Sequence, residues 1–278
     1  MTATPPGKCL LVAGSSDIGL ALAEDWARSG HAVVGTYRTW STGCEDLRTL
    51  GVEWFPLAFE RGCESGEPAR RFFEAAAGWD VLVFLSGEQS PVGDFADVPF
   101  AEWERSIQVN FLSQLSLLHA LLPHRNARAS LGPLVIFFAG GGTNNAVVKY
   151  SAYTVSKIGL IKMVELLDAE MPSVRFTIVG PGWVKTKIHE TTLNTGAAAG
   201  ANFEKTREMF RGGEWNPMEK VVACCNWLLG QGREVIGGRN FSIVHDAWGS
   251  PDLGDALQAD PSLYKLRRSG NERQFGRD

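Results

Sequence analysis

The chain carries 278 residues, with 27 basic against 31 acidic side chains (net −4), and is 44% hydrophobic and 21% charged. That balance excludes wholesale disorder, no apolar run reaches the ~18 residues of a membrane helix, and the slight acidity argues against a general nucleic-acid binder. The length admits one large α/β domain or two small ones. The opening Met1-Thr-Ala-Thr-Pro-Pro-Gly-Lys8 lacks the basic-then-apolar pattern of a secretion leader, so a cytoplasmic location is expected. Cys9, Cys44, Cys63, Cys224 and Cys225 are odd in number and lack metal-ligand spacing, which reads as reduced thiols and no metal.

Strand-like and helix-like runs alternate along the chain. Lys8–Ala13 is a short apolar run ending at Gly14, and Ile18–Arg28 has helical spacing (Ile18, Leu22, Trp26) up to Gly30. His31–Tyr37 and Val52–Phe59 are strand candidates, followed by a helix from about Glu67 to Ala77. Asp80–Leu85 and Leu134–Phe138 read as strands buried on both faces, separated by an amphipathic helix over 100–122. A helix over 151–171, a strand at Val174–Val179, a helix near 217–230 and a strand near 239–244 complete the alternation. This order predicts a doubly wound parallel sheet, Rossmann-type, with right-handed crossovers and helices on both faces. One unit over 1–248 is expected, with a Gly/Ala/Thr/Asn-rich flap at 187–216 and a polar tail at 249–278 that contains an apolar island, Leu263–Leu266.

The turn between first strand and first helix, Ala13-Gly14-Ser15-Ser16-Asp17-Ile18-Gly19, is the first candidate site. Such a turn presents backbone N–H groups and the positive end of a helix dipole. Glycines let a pyrophosphate approach the backbone, and serines add hydroxyls. The plainer reading is a tight turn with an N-cap. The second strand ends in Gly35-Thr-Tyr-Arg38 without the acid that would bind NAD ribose hydroxyls; Arg38 suits a 2′-phosphate, so NADP is favoured over NAD. Tyr153 and Lys157 stand four residues apart, on one face of a helix. A cation beside a phenol favours the phenolate, and the pair can deliver a proton to a carbonyl oxygen.

With Asn110 in Val109-Asn-Phe-Leu112 and with Pro181-Gly182-Trp183-Val184-Lys185-Thr186, these motifs in order make the chain resemble the short-chain dehydrogenases/reductases over roughly residues 8–245. The resemblance implies nicotinamide-dependent carbonyl/alcohol chemistry. Tyr153 would be the acid/base, Lys157 would hold the nicotinamide ribose and tune Tyr153, and Asn110 would support a water-linked proton relay. Ser86 and Gly87, Pro181 and Gly182 would line the cofactor, with Val184 and Thr186 at its nicotinamide end. Against that pattern the glycine turn reads as shortened, and Asp17 stands where a glycine is common. Ala58, with Glu60 nearby, takes the place of the adenine-side acid, and Phe84-Leu-Ser-Gly87 replaces Asn-Asn-Ala-Gly. Where the catalytic serine belongs, the chain reads Ala139-Gly-Gly-Gly-Thr143; Thr143, a water or a substrate hydroxyl would have to substitute.

The flap is expected to close over the substrate, lined by His189, Trp183 and Trp215 unless these simply pack. From Lys265 to Asp278 five basic and two acidic residues give +3, leaving −7 for the rest. This ending, with Asp246-Ala-Trp248, is similar to bacterial members linked to surface-polysaccharide and nucleotide-sugar pathways. Arg267 and Arg268 would then bind a substrate phosphate, the alternatives being a solvated basic end or a subunit contact. The apolar faces at 103–122 and 151–171 resemble the family's subunit surface, which implies a homodimer or homotetramer, and are also what any helix covering a sheet needs. Two functions follow: an NADP(H)-dependent oxidoreductase of a small carbonyl/alcohol, an anionic sugar nucleotide among the candidates, or a catalytically silent dinucleotide-binding or partner-docking member of the same fold.

Overall fold

Continuous apolar runs on short strands force a sheet that buries both faces, and the computed structural model, which describes residues 7–59 and 62–269, contains that sheet. In chain order the first half runs β1 (Lys8–Val12), α1 (Asp17–Arg28), β2 (Ala32–Tyr37), α2 (Thr42–Arg48), β3 (Glu53–Pro56), α3 (Gly66–Ala76), β4 (Val81–Phe84), α4 (Phe100–Ile107) and α5 (Ser113–Leu121). The second half runs β5 (Leu134–Phe138), α6 (Ser151–Glu170), β6 (Arg175–Gly180), α7 (Ile188–Thr195), α8 (Ala201–Gly212), α9 (Met218–Leu229), α10 (Arg233–Ile236), β7 (Arg239–Ser242) and α11 (Pro251–Ala259). All seven strands are parallel, in the order β3-β2-β1-β4-β5-β6-β7. The order reverses between β1 and β4, where Leu11 pairs with Val83 and Val12 with Phe84, so a crevice opens at their carboxyl ends.

The strand period of two divides the core. Leu11, Val83 and Ile136 face a cluster with Leu22, Trp26, Cys224 and Leu228 from α1 and α9. Leu10, Leu82, Phe84 and Phe137 face the opposite cluster with Phe72, Leu117, Leu160 and Val164 from α3, α5 and α6. All five cysteines are free and buried, and no helix among the described residues is long and apolar enough to cross a membrane.

Four segments differ from expectation. The helix over 100–122 is interrupted by a π-helical turn at Gln108–Leu112, which carries Asn110. Thr42–Arg48 forms a helix capped by Ser41, whose hydroxyl accepts from the Cys44 N–H. The flap folds into α7 and α8 despite its Gly, Thr and Asn content. The tail forms α11 and then docks beside β7, where the Asn240 N–H donates to the Tyr264 carbonyl at 2.8 Å. Arg239, 2% exposed, holds this end together by donating to the carbonyls of Glu234, Val235, Leu257, Asp260 and Leu263 at 2.5–3.1 Å.

Candidate active site

The carboxyl ends of the strands, the flap and the tail enclose a cavity of about 1550 Å³. Its floor begins at the glycine turn. Ser16 caps α1, its hydroxyl accepting from the Gly19 N–H at 3.2 Å. A Cβ on Gly19 would lie 2.4 Å from the Gly14 carbonyl oxygen, so only glycine lets helix and turn close up. The left-handed residue of the turn is Ala13, at φ 57°, one place before Gly14. Ser15, Ser16, Asp17 and Ile18 line the cavity. Among the described residues the N–H groups of Asp17 and Ile18 find no acceptor. The Asp17 carboxylate turns away from the turn and accepts from the Lys187 N–H, at the start of α7, at 2.8 Å. The acid therefore ties floor to flap.

Arg38, exposed at the end of β2, lines the same cavity with Ala58 and has no ion pair among the described residues; Glu60 lies outside them.

Tyr153 and Lys157 both line the cavity from the first turns of α6. Lys157 is 2% exposed, donates to the Ser86 carbonyl at 3.0 Å, and sits 5.7 Å from the Tyr153 ring centre. Burial dominates both groups. It lowers the Lys157 ammonium to about 8 and pushes the Tyr153 phenol up to about 12, so the lowering of the phenol expected from its neighbouring cation does not hold in this arrangement. Ser86, 7% exposed, lines the cavity with a hydroxyl that has no partner among the described residues, and Gly87 lies beside it.

Within Ala139–Thr143, the stretch where the resemblance leads one to expect a serine, Gly140 lies against Tyr153. A Cβ there would stand 2.7 Å from Tyr153 Cε1 and 2.9 Å from its hydroxyl oxygen, so the phenol ring occupies the space of a side chain. Thr143 lines the cavity farther along the loop.

Asn110, fully buried, does not line the cavity. Its side-chain oxygen accepts from the Glu88 N–H at 2.9 Å, its amide donates to the Glu88 carbonyl at 2.8 Å, and its own carbonyl accepts from Gln114 Nε2 at 2.7 Å. The arrangement is a clamp on the loop after β4. On the other wall, Asn216 holds the Pro181 carbonyl at 2.7 Å, Gly182 takes φ 72°, and Val184 and Thr186 face the cavity.

Trp183, just before the flap, and His189 within it line the cavity and stack at 5.0 Å and 4°, whereas Trp215 packs behind them, 5.3 Å from the His189 ring. His189 Nε2 lies 3.0 Å from the Val184 carbonyl, and burial lowers its basicity. Arg267 does not reach the cavity: it pairs with Glu165 on α6 at 2.8 Å, and Arg268 lies outside the cavity lining. The tail instead contributes Tyr264, Lys265 and Leu266 to the wall. Three lining residues carried no local signal in the sequence: Gln89, Tyr150 and Thr192. They meet across 42 and 103 residues of chain, Tyr150 Oη to Thr192 Oγ1 at 2.7 Å and Thr192 Oγ1 to Gln89 Oε1 at 3.0 Å.

Residues 12–245 match the family described as enoyl-(acyl carrier protein) reductase. The chain is similar to the human "dehydrogenase/reductase SDR family member 2, mitochondrial", 27% identical over 243 residues and 84% of each chain. It is also similar to the "uncharacterized oxidoreductase YvaG" of Bacillus subtilis, 31% identical over 202 residues, 68% of this chain and 73% of that one. In fold it is similar to an actinorhodin polyketide ketoreductase crystallised with NADPH, with a TM-score of 0.73 at 19% identity over 87% of this chain and 97% of that one. With a match across most of its length, a parallel Rossmann-type sheet and relatives over the same span, the chain belongs to the short-chain dehydrogenase/reductase family of oxidoreductases.

Proposed function

We propose that the chain is an NADP(H)-dependent oxidoreductase that interconverts a carbonyl and an alcohol on a small molecule. The observation that carries this reading is the pair Tyr153 and Lys157 in one cavity with a glycine turn, Lys157 being pinned by the Ser86 carbonyl. The residues fit a dinucleotide. The Gly14–Gly19 approach leaves no room for side chains, the Asp17 and Ile18 N–H groups lack acceptors among the described residues, and the buried Ser86 hydroxyl lacks a partner there. Arg38 favours the 2′-phosphate of NADP, and the ketoreductase of like fold was crystallised with NADPH.

When bound, the nicotinamide supplies or accepts the hydride. Tyr153 holds its proton at neutral pH and gives it to the substrate oxygen in the reductive direction. Lys157, charged below about pH 8, stabilises the phenolate left behind. Reduction is therefore expected to be flat near neutrality and to fall above about pH 8, as Lys157 loses its charge. Asn110 acts by fixing the loop that carries Glu88. An anionic substrate, sugar nucleotides included, is met by Lys187 and Lys205, which line the cavity with no carboxylate partner among the described residues. Exposed Leu112, Val155 and Leu166 on the helices at 108–121 and 151–170 support a homo-oligomer.

The test is a thermal-shift titration with NADPH and NADH, since a ligand bound only by the folded chain raises its apparent stability. A larger shift with NADPH, reduced in Arg38→Ala, is expected; no shift with either cofactor overturns the reading. Carbonyl-dependent NADPH oxidation is expected to vanish in Tyr153→Phe, and survival of activity would remove Tyr153 from its role. The second reading, a silent dinucleotide-binding member, rests on the missing hydroxyl at Gly140; NADPH binding without turnover of any carbonyl would establish it.

A further inference from the structure

Gly140 leaves the site without the hydroxyl that would share the substrate oxygen with Tyr153. Another donor faces the same cavity. Thr192, on α7 and 3% exposed, has a single hydroxyl proton and gives it to Gln89 Oε1 at 3.0 Å. The Tyr150 hydroxyl, 2.7 Å away on a residue 4% exposed, must then be the donor to Thr192 Oγ1. Reversing the chain would leave the Tyr150 O–H without an acceptor in it, so the direction from Tyr150 through Thr192 to Gln89 is the one that uses all three groups. That direction ties Gln89 Oε1 back into the protein and leaves the Nε2 N–H pair of this cavity-lining, half-buried residue with no protein acceptor among the described residues. The backbone on which Gln89 stands is fixed next door, where the Asn110 amide clamps both the N–H and the carbonyl of Glu88.

We infer that Gln89 Nε2 is the second hydrogen-bond donor to the substrate oxygen, replacing the serine that Gly140 displaces, with Tyr150 and Thr192 as its positioning residues. The inference rests on the carbonyl/alcohol reading. It makes α7 part of the reacting constellation, because the flap supplies Thr192, and the donor is in place only while the flap is seated.

The test follows NADPH oxidation by the full chain with a panel of α-diketones, β-keto esters and aldehydes, alongside thermal shift with NADPH alone. Loss of an oxyanion donor costs on the order of 10²-fold in kcat, the drop expected in Gln89→Ala with NADPH binding unchanged. Thr192→Val, which cannot orient the amide, is expected to lose roughly 10-fold in kcat, and Thr192→Ser to recover it. A merely structural threonine would lower the melting temperature and leave kcat of the folded fraction intact. The inference is overturned if Gln89→Ala and Thr192→Val keep kcat within about threefold of an active parent. A parent inert toward every carbonyl overturns the functional reading, and this inference with it.

Discussion

The floor and the roof of the cavity face the same space but are built from different materials. On the floor, α6 buries eight residues, among them Leu160, Ile161, Val164 and Leu167, against strands whose central positions are fully covered. Each large apolar side chain so buried contributes about 1.5–3 kcal/mol. In the roof, α7 buries only Thr192 and α8 only Thr206. The roof is held by single contacts: the Asp17–Lys187 hydrogen bond, the Tyr150–Thr192–Gln89 chain and the Trp183–His189 stack. A segment with few buried apolar groups opens at low cost. The division suits an oxidoreductase, whose proton-transfer pair must be rigid and whose cover must admit cofactor and substrate.

Glycine replacements expose the contrast most strongly. Gly19→Ala puts a Cβ 2.4 Å from a backbone oxygen with nothing flexible to yield. Overpacking of this kind costs about 3 kcal/mol or more, a fall of roughly 6–12 °C for a chain of this size. In the roof, Gly212, the exposed last residue of α8, meets nothing within 4 Å, so Gly212→Ala is expected to be neutral or to stabilise by about 0.5 kcal/mol. Parallel thermal melts check both. Similar destabilisation in the two variants would mean that the roof is packed as tightly as the floor.

The same difference decided what could be read from the chain. Floor signals are local: Tyr153 and Lys157 are one helical turn apart, Ser16 caps the helix it precedes, and β4 and β5 are continuous apolar runs. Roof signals are not. The pairing of Tyr150 with Thr192 depends on how α7 lies over α6, which no spacing encodes, and the helices of the flap override the weak propensity of Gly, Thr and Asn. Asn110 was legible as a motif, but its clamp was not, because the π turn hides within an ordinary amphipathic period. Arg267 could be read in sequence as part of a solvated basic end, yet it pairs with Glu165, and Arg239, which carries no signal in the sequence, holds five carbonyls.

Within the floor, Lys157 sets function against stability. Burial lowers its proton affinity from 10.5 to about 8, so the unfolded chain holds this proton more tightly than the folded one. The penalty is full below about pH 8 and shrinks as the pH rises toward 10.5, where both states lose the proton. Lys157→Met removes it, and with a lost hydrogen bond to Ser86 deducted, the variant is expected to be more stable at pH 7 by about 1–3 kcal/mol, with the gain fading between about pH 8 and pH 10.5 and carbonyl reduction lost. Denaturant melts at pH 7 and pH 10 separate this from a simple packing effect, which would give the same difference at both.

The smallest effect is expected where floor and roof meet, at Asp17. Its carboxylate holds the Lys187 N–H but also brings negative charge to the turn whose free N–H groups suit a pyrophosphate. Asp17→Asn keeps an acceptor for Lys187 and removes the charge, so hydrogen exchange at the Lys187 amide should stay near that of the parent while NADPH binds a few-fold more tightly, as expected for ~0.5–1 kcal/mol at a helix N-terminus. Asp17→Ala removes both, and exchange at Lys187 and through α7 should then rise, because little else anchors that end of the roof. Unchanged exchange in Asp17→Ala would show that the Trp183–His189 stack and the Thr192 chain hold the roof by themselves, and the division between a packed floor and a tethered roof would move from Asp17 to those contacts.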